Sequence, residues 1–230
     1  MQEKLKNYLK DAGLQISNLE VAEKFGNDLG AVLETVLNTQ EDVEKLLTYQ
    51  VPKLGEDGIV SIIDELSDTP YKLKKILLYN NFNDEEINKL VYKLNKVMEL
   101  LHSEIGSDWT GIYKKLNTET GPALVKLAYK GIASRVEFPL TKEFSKHSTN
   151  STVGLSGKAV LVTNVGKHRQ EGKPYYTYDE KIKSELCMPI FSKDKEVIGI
   201  INLESLQENF FDEEKIEKAA VACVLLSEKL

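Results

Sequence analysis

Glu185, Asn202 and Glu204 are polar side chains in two runs that are otherwise apolar and strand-forming, Ser184-Glu185-Leu186-Cys187-Met188-Pro189-Ile190 and Ile198-Gly199-Ile200-Ile201-Asn202-Leu203-Glu204-Ser205. A carboxylate or amide buried in such a strand is costly unless it meets a partner, so each of these groups either faces water or belongs to a polar site. Side chains alternate along a strand, which turns Asn202 and Glu204 to one side and Ile201 and Leu203 to the other. Two carboxylates and an amide can hold a cation or hydrogen-bond a ligand. Trp109, the sole tryptophan, and Tyr113 could wall such a site or simply fill the core. Ser156, between Gly154 and Gly157, is either a helix cap or a pocket hydroxyl.

Other reactive side chains offer little. Cys187 and Cys223 are the only cysteines, and both sit in apolar stretches, as buried free thiols do. A count of two excludes a disulfide framework, and their separation excludes a C-x-x-C metal or redox site. His102, His147 and His168 have no ligand spacing to one another or to a cysteine. The expectation is no metal and no cofactor.

The chain has 230 residues, 41% apolar and 29% charged, a composition suited to a soluble globular protein. No apolar run approaches the roughly 20 residues that cross a bilayer, and the first 30 residues are charged rather than signal-like, so a cytoplasmic location without membrane contact is expected. The net charge of −6 lies entirely in residues 1–100, which hold 12 Lys/Arg against 18 Asp/Glu. With no basic stripe, nucleic acid is not an expected partner.

The elements that would position these residues fall into two halves. Up to residue 105 the apolar period is helical and strand signals are absent. A first helix carries Leu5, Tyr8 and Leu9 and stops at Gly13; a second starts at Ser17 with Glu20 as a capping box and buries Phe25, Leu29, Val32, Leu33 and Val36. A third follows Thr39 and ends at Pro52, Ile59 to Leu66 makes a short helix, and Pro70 opens a helix with Leu73, Ile76 and Leu77. The longest helix is capped by Asn83 with Glu86 and runs to Ile105 before Gly106. Its seam of Ile87, Leu90, Val91, Leu94, Val97, Met98, Leu101 and Ile105 suits either its own chain or the same helix of a second copy, a possible homodimer.

Beyond residue 105, where nine of the fourteen glycines and four of the six prolines lie, the pattern changes to short strands, which marks a domain boundary. Trp109–Leu116, Leu124–Tyr129 and Arg135–Leu140 read as strands. Lys142 to Thr152 reads as a loop and Val153 to Val160 as a tight turn opening a short helix. Ser184–Phe191 and Val197–Glu204 form a hairpin, and a closing helix starts at Asp212.

This order, with Trp109-Thr110-Gly111-Ile112-Tyr113 on its first strand, Ser184 to Ile190 on its fourth and Ile198 to Ser205 on its fifth, resembles a GAF domain over residues 105–230. Within that superfamily it is most similar to the free methionine-(R)-sulfoxide reductases, with their W-x-G-F/Y-Y, S-E-I-x-x-P-I and G-V-L-D-I-D-S patterns. The implied fold class is α+β: an all-helical N-terminal region over 1–82, a connecting helix over 83–105 and a GAF-like domain over 106–230, an antiparallel sheet flanked by helices.

The resemblance implies a pocket walled by Trp109 and Tyr113, with Glu185, Asn202 and Glu204 aimed at a ligand and Ser156 and Tyr178 beside it. Ser156 stands where the reductases carry the cysteine of G-x-C-G, and Tyr175, Tyr176 and Tyr178 occupy the segment of their further cysteines. Sulfoxide reduction needs an attacking and a resolving thiol, which serine cannot replace. The expected function is therefore a non-catalytic GAF-type sensor of a small polar metabolite such as a free amino acid, whose ammonium suits paired carboxylates. The alternatives are a reductase with rearranged thiols, a cyclic-nucleotide GAF sensor, for which Asn209 to Glu213 echoes only part of the signature, and a dimeric interaction scaffold.

Overall fold

The computed structural model describes residues 1–17, 19, 22–35, 41–55, 61–176 and 179–230. The expected caps at Glu20 and Thr39 lie outside the described residues.

Eight helices and ten strands are described. The helices are α1 (Gln2–Ala12), α2 (Ala22–Leu33), α3 (Glu41–Glu44), α4 (Leu73–Tyr79), α5 (Asp84–Ile105), α6 (Thr149–Ser156), α7 (Val165–Gln170) and α8 (Glu213–Leu226). The strands are β1 (Thr48–Tyr49), β2 (Pro52–Leu54), β3 (Ser61–Leu66), β4 (Tyr71–Lys72), β5 (Trp109–Thr118), β6 (Gly121–Lys130), β7 (Glu137–Pro139), β8 (Val160–Val162), β9 (Ser184–Phe191) and β10 (Val197–Ser205). The α+β class stands: a helical N-terminal part, then a six-stranded antiparallel sheet of order β7-β6-β5-β10-β9-β8 with helices on both sides.

Caps and glycines place the helix ends where chemistry requires. Gly13 (φ 76°) ends α1 and Gly106 (φ 71°) ends α5, both in the left-handed region that glycine enters without penalty. Asn83 accepts from the backbone of Glu86 while the Glu86 carboxylate accepts from that of Asn83, a complete capping box. Asp212 likewise caps α8 by accepting from Lys215.

One face of the sheet carries α5 and α8, with α1 and α2 packed behind them. The α5 seam is filled by its own chain: Ile87, Val91, Leu94, Val97, Met98, Leu101 and Ile105 are buried in one cluster with Leu5, Phe25 and Leu29 of the front helices and Leu186 and Leu203 of the sheet. Of the two uses the seam allows, the structure shows the intramolecular one. Front and rear halves thus share a core.

Several local expectations are corrected: the helix expected to end at Pro52 covers only Glu41–Glu44, with strand β1 following at Thr48–Tyr49. The described part of Ile59 to Leu66 is strand β3, not helix; it pairs with β2, while β1 pairs with β4 outside them, so the front half includes an arm of four short strands. A short apolar run such as Ile62-Ile63 has no period to separate strand from helix. Pro70 precedes β4, and α4 begins only at Leu73. The Val153 to Val160 segment closes a helix rather than opening one: α6 starts at Thr149 under the Ser148 cap and ends at Gly157 (φ 66°), followed by β8. Polar Thr149 to Thr152 reads as loop because their helix propensity is low, and packing against the sheet overrides it.

Candidate functional site

Strand register brings the polar residues together. Glu204 lies directly opposite Glu185 on one side and Trp109 on the other; two residues away, Asn202 lies between Cys187 and Gly111. These two rows share one face of the sheet. Leu203 and Leu186 between these rows, and Ile201 and Ile112 beside them, point the opposite way, into the core under α5 and α8.

Glycine makes room for the indole. A Cβ at Gly111 would lie 2.2 Å from Trp109 Cη2, and one at Gly131 would lie 2.5 Å from Trp109 Cδ1. The ring lies between these bare backbones, donates from Nε1 to the Ile132 carbonyl at 3.1 Å, and stacks on Tyr129 at 6.4 Å.

Helix α6 roofs the acidic rows. Its first residue, Thr149, donates to Glu185 Oε1 at 2.6 Å, and Asn150 Oδ1 accepts from the Cys187 thiol at 3.5 Å. Ser134, Phe138 and Tyr176 complete the lining of a hollow with Trp109, Tyr113, Glu185, Asn202 and Glu204. The cavity this leaves is about 10 Å³. That is room for about one water, so a larger guest requires a wall to shift.

The electrostatics are those of two acids forced together. Burial, then the charge of Glu204, pushes the Glu185 carboxyl up to about 8, against hydrogen bonds from Thr149 and Asn202. Near neutral pH Glu185 therefore stays protonated beside Glu204. Asn202 Nδ2 donates to Glu204 Oε1 at 3.1 Å, while its Oδ1, fully enclosed, has no hydrogen-bond partner. An unmet acceptor in an enclosed site favours a guest that brings a donor. Behind the aromatic wall, buried Lys126 has its Nζ 4.1 Å from the Tyr129 ring centroid and donates at 2.8 Å to both the carbonyl and the hydroxyl of Ser134. Burial pulls the Lys126 amine well below the usual lysine range, opposed by the charge of Glu204.

The GAF domain family matches residues 93–230. The chain belongs to that family. Solved structures agree on the fold. The type II free methionine-R-sulfoxide reductase of Thermoplasma acidophilum superposes with a TM-score of 0.54 at 18% identity, over 63% of this chain and 94% of that one. The GAF domain of Acinetobacter phosphoenolpyruvate-protein phosphotransferase gives 0.50 at 19% identity, over 68% and 88%. A GAF domain region of a putative membrane protein from Geobacter sulfurreducens PCA gives 0.50 at 18%, over 63% and 95%. No curated protein matches the sequence closely enough to count as a relative.

Of the residues expected at the GAF hollow, Trp109, Tyr113, Glu185, Asn202 and Glu204 converge there. Ser156 does not: it is exposed at the C-terminal end of α6, accepting from the Lys158 backbone, whereas the N-terminal end of that helix faces the hollow. Tyr178 lies outside the described residues. Cys187 is buried on the hollow's side of β9, and burial raises its thiol well above the usual range. Ser134, Phe138, Thr149, Asn150 and Tyr176 complete the site without having been read as ligand-binding. The Ser148 cap could have placed Thr149 and Asn150 in a first helical turn; nothing in the sequence singles out Ser134. Among the described residues, no group of three or more histidine, cysteine or acidic side chains could hold a metal, and no helix is long and apolar enough to cross a membrane.

Proposed function

We propose that this GAF domain is a non-catalytic sensor that encloses a small polar metabolite through an ammonium group, with a free amino acid as the first candidate. The observation that carries the reading is the enclosed trio Glu185, Glu204 and Asn202, two facing acids beside an unmet amide oxygen. An ammonium group displaces the Glu185 proton, sets its single positive charge between the two carboxylates and supplies the missing donor. The single thiol at the hollow, Cys187, is held protonated by burial, and Cys223 lies in the core on the far side of the sheet, so the chain brings no pair of thiols to one site. A homodimer through residues 83–105 has only the outer side of α5 to use, where Leu90 and Leu100 are half-buried.

Thermal denaturation with a panel of free amino acids, methionine sulfoxide and cyclic nucleotides tests this. A cationic ligand at one hundred times its dissociation constant should stabilise the protein by about 2.7 kcal/mol, and Glu204→Gln should abolish the effect. Because a proton leaves as the cation enters, affinity should rise with pH below about 8, by up to about tenfold per unit. Stabilisation by cyclic nucleotides alone, or thiol-linked turnover of methionine sulfoxide, would refute the reading.

A further inference from the structure

The arm formed by β1 to β4 touches the hollow's wall at three places, each through a side-chain hydroxyl. Ser61 Oγ and Tyr176 OH share a hydrogen bond of 2.5 Å, and Tyr176 lines the hollow. Tyr71 donates to Glu137 Oε1 at 2.7 Å, next to Phe138 of the lining. Tyr49 donates to the Lys126 carbonyl and sets its ring edge-on to Tyr129, at 5.3 Å, which in turn stacks on Trp109.

These contacts all fall on the aromatic wall, and the other walls are held differently. Helix α6 is tied to Glu185 and Cys187, and the floor is the sheet itself. Tyr176 comes from an irregular segment; its ring packs against Phe138 at 5.4 Å and Phe144 at 6.5 Å under the Arg135 guanidinium at 5.5 Å, while its hydroxyl is held by Ser61. Helix α5, by contrast, packs on the sheet's opposite face. The wall that can yield most cheaply is thus the one the arm holds.

We propose that the β1–β4 arm is a latch on the GAF hollow: it keeps the aromatic wall closed, and its release both admits a guest and carries occupancy to the front half of the chain. This holds whatever the guest is, and the test uses none. Trp109, the only tryptophan, lines the hollow together with Tyr176 and stacks on Tyr129, so a small neutral quencher entering past the arm meets it.

The experiment is acrylamide quenching of Trp109 in the full chain. Ser61→Ala leaves the lining intact and removes one hydrogen bond, which should raise the quenching constant by roughly two- to tenfold. Tyr176→Phe keeps the ring and should do the same. Ser17→Ala, which removes a hydroxyl bonded to Glu213 away from the arm, should match the parent. Parent-like quenching in both Ser61→Ala and Tyr176→Phe would overturn the latch. So would an equal rise in Ser17→Ala, because the opening would then be global rather than an act of the arm.

Discussion

Glu185 ties the site to pH. Its carboxyl keeps a proton up to about 8 in the folded chain, against 4.5 for an unperturbed glutamate. The folded state therefore binds more protons than the unfolded one across that window, and the stabilisation is full below 4.5 and lost as pH rises through about 8. Urea midpoints should fall from about pH 5 to about pH 8.5, and Glu185→Gln should flatten that slope; parallel profiles would contradict the assignment. At Gly111 an added methyl meets the indole at 2.2 Å, so Gly111→Ala should cost about 1–3 kcal/mol and red-shift the emission of Trp109. Residue roles were legible only where one strand carries the argument: the shared side of Asn202 and Glu204 follows from alternation, but the opposition of Glu204 to Glu185 needs a register no single strand contains. Ser156 shows the converse. Gly154 is there because a Cβ would lie 2.6 Å from Leu140 Cδ2, and Gly157 because α6 ends in the left-handed region, so the glycine spacing reflects packing and termination rather than a hydroxyl held at the hollow.

Elements were legible in proportion to their length and caps. Helix α5 combines a long apolar period with a complete box at Asn83, and its observed bounds match the expectation from those signals. Asn83→Ala should cost about 1 kcal/mol in chemical denaturation with little change in the hollow; a loss of less than a few tenths would show that Asp84 to Glu86 alone anchor the first turn. The arm was illegible because its strands span two to six residues and mean little without their partners. Pairing of β2 with β3 inside β1 with β4 is a tertiary fact, and so is the position of α6, whose polar residues are buried by the sheet beneath them.

At the scale of the molecule, a boundary near residue 105 is visible in composition but not in packing. Leu5, Leu9, Phe25 and Leu29 are buried in the same cluster as α8 and the sheet. One core should unfold as one unit, so Trp109 emission and far-ultraviolet ellipticity should report coincident transitions. Two separated transitions would restore the front half as an independent domain.

The hydrogen bond from Tyr8 to the Pro189 carbonyl joins groups 181 positions apart, and β5 lies beside β10 rather than beside the strand that follows β6. Helices α1 and α2 thus gain their α8 cover only after Glu213–Leu226 has been made, although α2 can pack on α5 earlier. Such sequence-distant closure is slow, and part of the apolar surface of the front helices stays uncovered until it forms.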